Sequence, residues 1–229
     1  MKRYTKIFAL AVAGLLTVAT YASAERIIGI TGTIAQIEAT GTETLKDSAN
    51  VTTHEEEANA IIPSLFLELA TDGGFGLGVD MITGTADLSA GDRTTTKNGG
   101  ACAASSPDCD TGINTADAEI DGVTTIYLIK SFSNGLLVKV GQSSADVNTK
   151  ETLASGTKYG NTSVDGMQYG IGWGHTNDSG LFFRTTVEIT DYDELSLTGD
   201  SAGADAASFN VVKANIDTTV AKISIGKAF

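Results

Sequence analysis

From residue 25 onward the apolar side chains of this 229-residue chain almost never run together; they alternate with small or polar ones in stretches cut by regular interruptions. Alternation with period two marks β-strands with one apolar face, because successive side chains point to opposite sides. Eight such stretches lie near 26–38, 60–72, 75–87, 119–132, 135–147, 163–175, 180–193 and 211–229. The links between them alternate in length. Those at 39–59, 88–118, 148–162 and 194–210 are long and rich in Thr, Ser, Asp, Ala and Gly, whereas 73–74, 133–134 and 176–179 read as tight turns. A soluble sandwich has no reason to sort its links by side. A closed barrel with short periplasmic turns and long extracellular loops does. The expected fold is all-β, an eight-stranded antiparallel up-and-down transmembrane β-barrel over residues 25–229.

The start of the chain agrees with export. Lys2, Arg3 and Lys6 precede an apolar run from Ile7 to Val18, and Ala22-Ser23-Ala24 offers small residues for cleavage. Residues 1–24 therefore read as a signal peptide; the run is shorter than the roughly 20 residues a membrane-spanning helix needs. With 15 Lys and Arg against 28 Asp and Glu, the net charge is −13, and loss of a basic leader makes the exported part more acidic still. Such a surface repels nucleic acid. Cys102 and Cys109, the chain's two cysteines, share a polar loop and are expected to staple it with a disulfide. Without a histidine beside them they make no metal site.

Five stretches plus the C-terminal one assign their own faces. Leu65, Leu67 and Leu69 are expected outward, with Phe66 and Glu68 inward; Phe75, Leu77, Val79 and Met81 outward, with Asp80 inward; Leu136, Val138 and Val140 outward, with Lys139 inward. Met167, Tyr169, Ile171 and Trp173 oppose a ladder of glycines at 166, 170, 172 and 174, while Leu181, Phe183, Val187 and Ile189 oppose Arg184, Thr186, Glu188 and Thr190. At the end of the chain Ala221, Ile223, Ile225 and Phe229 oppose Lys222, Ser224 and Gly226. Stretches 26–38 and 119–132 carry isoleucines on both faces and give no facing. Pro63 donates no ladder hydrogen bond, so the second strand is expected to pair fully only after it or to bulge there.

Counted from their turns, Glu68, Asp80, Lys139, Arg184 and Lys222 fall in a band on the order of 10 Å tall, with Glu188 one layer above. A luminal salt-bridge network of these six is expected, with the glycines of 163–175 making room for its longer members. An eight-stranded interior is filled by side chains, so the network plugs the barrel. An apolar lumen for hydrophobic molecules is not expected with charges facing inward. Phe75, Phe132, Trp173, Phe182, Phe183 and Phe229 lie near turns or the chain end and should form a periplasmic aromatic girdle, opposed by Tyr159, Tyr192 and Phe209.

Catalysis has little material. The two histidines, His54 in an acidic run and His175 near a turn, fall at opposite ends of the barrel, and no nucleophile pairs with either by spacing. No enzyme activity and no cofactor are expected. Asp108, Asp110, Asp117, Glu119 and Asp121, and Asp191, Asp193, Glu194, Asp200 and Asp205, are oxygen-rich clusters without a calcium-loop pattern, and read as solvated, charge-repelling surface.

The last strand, with Ile223 and Ile225 alternating up to a terminal Phe229, resembles the C-terminal signal by which outer-membrane barrels are handed to their assembly machinery; Lys227 stands where an aromatic is usual. With the leader, strand count and loop alternation, the chain resembles the OmpA-type transmembrane domain and the OmpX and OmpW families. It departs from full OmpA-type proteins in ending with the barrel. The resemblance implies an integral protein of the outer membrane, surrounded by lipid, engaging the assembly machinery through its last strand, monomeric, with any extracellular ligand at the loops. A structural or surface-interaction role follows. The alternatives are a narrow porin-like channel for small solutes and a soluble periplasmic β-sandwich.

Overall fold

The computed structural model describes residues 25–44, 51–95, 112–152, 158–199 and 211–229. They form ten strands: β1 (Glu25–Thr44), β2 (Val51–Ala70), β3 (Phe75–Ile82), β4 (Ala86–Thr95), β5 (Gly112–Ser131), β6 (Leu136–Thr149), β7 (Thr162–Thr176), β8 (Leu181–Tyr192), β9 (Leu195–Thr198) and β10 (Val211–Ala228). The strands pair antiparallel in the order β1-β2-β3-β5-β6-β7-β8-β10, and β1 pairs with β10 from Ile27↔Ala228 to Thr44↔Val211, which closes the sheet. β4 continues the course of β3 along β5, and β9 that of β8 along β10, so ten strands make eight staves. The leader, Cys102, Cys109 and Phe209 lie outside the described residues.

The three turns are one device used three times. At Thr71–Gly74, Phe132–Gly135 and Asn177–Gly180 the fourth residue's N–H bonds the first residue's carbonyl at 2.8, 2.9 and 2.8 Å. The fourth residue is in each case a glycine with φ of +75°, +86° or +78°. A type I turn followed by a left-handed residue matches the twist of the strands it joins, and glycine holds that conformation without penalty. Gly135→Ala is expected to cost about 1–2 kcal/mol or more, because its Cβ would also lie 2.4 Å from the Trp173 Nε1. Gly73→Ala meets nothing closer than 3.7 Å and serves as the control. Equal urea midpoints for the two variants would remove this account.

Large apolar side chains face out around the barrel, including Ile28, Ile30, Leu65, Phe75, Ile171, Val187 and Ile225. Only hydrocarbon is a good solvent for such a band, and closure of the sheet between β1 and β10 pairs most of the backbone within it. The two unassigned strands now have facings. On β1, Ile28, Ile30 and Ile34 meet lipid while Ile27 and Ile37 point inward. On β5, Ile126 faces out and Tyr127 and Ile129 face in; a bulge between Asp121 and Thr124, with Gly122 at φ +58°, reverses the parity above it and brings Ile120 inward. Phe182, expected in the girdle, is instead luminal, because it occupies the inward register of β8. Tyr192, expected in the outer belt, is buried inward for the same reason.

Two features depart from expectation on the extracellular side. The long links are largely β-ribbon: β1 and β2 pair out to Thr44↔Val51, and β4 and β5 out to Thr95↔Gly112. Ribbons standing in water need no apolar face, so no alternation marks them, although β-branched threonines favour the conformation. The second feature is a seam. β2 pairs with β3 from Ala70↔Gly76 to Ser64↔Ile82, and the Thr83 N–H still reaches the Pro63 carbonyl at 3.2 Å. Beyond that point β4 pairs only with β5, and among the described residues no ladder joins it to β2. Pro63 has no N–H to continue the ladder. The contact is made by side chains, with Ile62 filling the space a Cβ on Gly84 would take.

Candidate functional site

The lumen is layered. Near the periplasm, Ile27, Phe66, Phe182 and Leu137 form an apolar collar. Above it lies the charged layer, at whose level Thr31 meets Ser224 at 2.8 Å, and above that Ser143 meets Thr125 and Tyr192 at 3.1 Å each. The extracellular half is apolar: Ile37, Ile62, Leu88, Ile120, Val147, Val164, Leu195, Ile216 and Val220 share one cluster. The six buried charges occupy one level, and the upper half is packed like a soluble core.

All six expected luminal residues meet in the charged layer. Both terminal nitrogens of Arg184 donate to the Glu68 Oε2 at 2.9 Å. Lys222 reaches across the lumen to Asp80 Oδ2 at 2.6 Å and to Glu188 Oε2 at 3.0 Å, and Lys139 meets Glu188 Oε1 at 2.5 Å. Glu188 is the hub, holding two lysines and accepting from the Thr186 hydroxyl at 2.9 Å. Three acids and three bases thus neutralise one another. No side chain of the six is more than 5% exposed. Burial on this scale makes pairing obligatory, since an unpaired buried charge is far costlier than a paired one.

Tyr127 joins the two halves of the layer, and sequence reasoning did not find it because the facing of its strand was open. Its hydroxyl donates to Glu68 Oε2 at 2.9 Å, and its ring lies 4.1 Å from the Lys139 ammonium. Arg184 is stacked between Phe66 and Phe182, 5.2 and 4.6 Å from their centroids. Glycines clear the space. A Cβ on Gly170 would lie 2.8 Å from Glu188 Cγ, and one on Gly78 would lie 2.3 Å from Tyr127 Cζ. About 10 Å³ is left free among Asp80, Tyr127, Lys139, Glu188 and Lys222, room for one water at most. A vestibule of about 160 Å³ opens below, between the collar and the turns.

The other expected residues fall elsewhere. Phe75, Phe132, Trp173, Phe183 and Phe229 are exposed at the periplasmic end, and Ile223 and Ile225 face lipid on β10. His54 lies on β2 and His175 at the end of β7, stacked 6.2 Å from Trp173. Among the described residues no group of His, Cys, Asp and Glu is arranged to hold a metal ion.

No family model and no curated protein matches the chain. Solved structures do. The outer membrane protein OprG from Pseudomonas aeruginosa aligns with TM-score 0.54 at 14% identity, over 91% of this chain and 97% of that one. The outer membrane protease OmpT from Escherichia coli aligns with 0.43 at 8%, over 91% and 97%. The attachment invasion locus protein Ail of Yersinia pestis aligns with 0.38 at 8%, over 88% and 99%. Closed staves, an outward apolar band and the fold shared with OprG agree: the chain is a small eight-stranded outer-membrane β-barrel, integral to the outer membrane.

Proposed function

We propose that the protein is a sealed, non-catalytic barrel of structural and surface-interaction role, its lumen plugged by the salt-bridge layer and its β-ribbons presented to the exterior. The observation that carries this reading is the neutral layer of three acids and three bases with about 10 Å³ of free space. A water-filled path needs continuous width, and here long side chains cross the lumen between opposite walls. In planar bilayers the parent protein is expected to be silent, and Arg184→Ala to open brief, small conductances by freeing Glu68. Steady conductance of the parent would replace this reading with a narrow channel for small solutes.

A second reading rests on the seam and the apolar upper lumen. Between β2 and β4 only side chains close the wall, and Ile61 beside it is 84% exposed to lipid. A hydrophobic molecule that displaced the packed side chains, Ile62 among them, would stay among apolar walls and find a side exit into the outer leaflet. Uptake of an apolar dye into vesicles, abolished by a disulfide across Ile62→Cys and Gly84→Cys, would favour it over the sealed barrel.

A further inference from the structure

We infer that the vestibule below the charged layer is a binding site, open to the periplasm, for a small neutral molecule made of one ring and a hydroxyl group. The space measures about 160 Å³, and an apolar cavity of about 150 Å³ takes benzene. Its walls suit a ring. Ile27, Phe182 and Leu137 are buried side chains of the collar, and Ala70 on β2 packs against the cluster that holds the first two.

The inner end of the space is polar, and one of its atoms lacks a partner. The Tyr127 hydroxyl and both terminal nitrogens of Arg184 donate to Glu68 Oε2 at 2.9 Å each, and among the described residues nothing donates to Glu68 Oε1. Glu68 is 3% exposed, and Oε1 is absent from the oxygens fully sealed from solvent. Glu68 lines the vestibule and does not line the small void inside the charged layer. The free oxygen therefore opens downward. A carboxylate oxygen so deeply placed and without a donor carries a desolvation cost that a ligand's O–H would relieve.

The same pair of residues decides the ligand's charge. Arg184 also lines the vestibule, and its bonds to Glu68 use two of a guanidinium's five N–H groups. An open acceptor and spare donors thus stand side by side. A hydroxyl donates to the first and accepts from the second. An ammonium only donates and meets a like charge in Arg184, while a carboxylate only accepts and meets one in Glu68. Glu68 and Arg184 already neutralise each other, so either ion would leave a net charge in a buried place. Glu25 and His175 stand at the mouth, exposed, where water screens them.

The test titrates the protein, folded in detergent micelles with isotope-labelled isoleucine and leucine methyls, with phenol, fluorobenzene, benzylammonium and benzoate. Ile27 lines the vestibule and its chain neighbour Ile28 faces lipid. Ile28 therefore reports probe dissolved in the micelle, and the excess shift at Ile27 and Leu137 reports the site. Phenol is expected to shift those two saturably, with half-saturation on the order of millimolar. Fluorobenzene, of the same shape without the O–H, should bind about tenfold or more weakly, and both charged rings more weakly than phenol. Ala70→Leu, which fills the space, is expected to abolish the phenol shift, and Leu65→Met, on the lipid face of the same strand, to keep it. Shifts at Ile27 no larger than at Ile28, fluorobenzene equal to phenol, a charged ring that binds more tightly, or phenol binding that survives in folded Ala70→Leu overturns the inference. If Ala70→Leu shows no heat-dependent gel shift and so has not folded, the ranking of the probes on the parent decides by the same outcomes.

Discussion

Glu188→Ala will unfold at a markedly lower urea concentration than the parent, with a loss on the order of 3–5 kcal/mol. The carboxylate holds Lys139 at 2.5 Å and Lys222 at 3.0 Å in a site its own side chain never shares with solvent. Removing it leaves Lys139 buried with only the Tyr127 face beside it, while Lys222 keeps Asp80. The penalty is thus chiefly that of one stranded cation, not the worth of an attractive pair. It follows that Lys139→Met/Glu188→Leu should regain most of the loss, since an apolar pair of similar volume needs no counter-charge. Unfolding in detergent, read by Trp173 emission and by the gel shift on heating, measures both. An Ala variant with the parent's midpoint would show that the layer does not hold the lumen together.

Gly78→Ala is expected to cost about 1–3 kcal/mol although it adds one methyl group. That Cβ would lie 2.3 Å from Tyr127 Cζ and 2.5 Å from its hydroxyl oxygen. The ring has nowhere to retreat. Its hydroxyl is tied to Glu68, and Lys139 lies over its face. Tyr127→Leu alone also destabilises, by removing one of three hydrogen bonds to Glu68 Oε2 and the ring beside Lys139. Combined with Gly78→Ala it should cost less than the two single changes together, by about 1–2 kcal/mol, because the collision disappears with the ring. Strict additivity in a double-mutant cycle would mean that Gly78 and Tyr127 do not share the space assigned to them.

Both experiments concern a layer that was partly legible beforehand. Glu68, Asp80, Lys139, Arg184 and Lys222 sit at similar counts from their turns, and the outward Leu, Val and Ile on either side show which way each one points. Tyr127 was hidden between Ile126 and Leu128, where apolar residues on both sides erase the alternation. Phe182 and Phe183 present the same difficulty, for two adjacent aromatics cannot both face lipid, and only the register with β7 and β10 decides which does.

What the chain's own pattern determined is local. Period two needs only the pleat of a strand, so the existence of eight staves, the inward or outward sense of most residues and the end at which the turns lie could be read without a fold. The tertiary structure decided what depends on closure. Which acid meets which base is set by the stagger of strands around the cylinder and by the reach of side chains across it, as when Lys222 on β10 finds Asp80 on β3. The apolar upper lumen, the ribbons and the seam above Pro63 belong here too. The first exists because inward residues of all staves meet one another, the second because polar strands pair in water without needing an apolar face, and the third because a missing N–H matters only once the neighbouring strand is known.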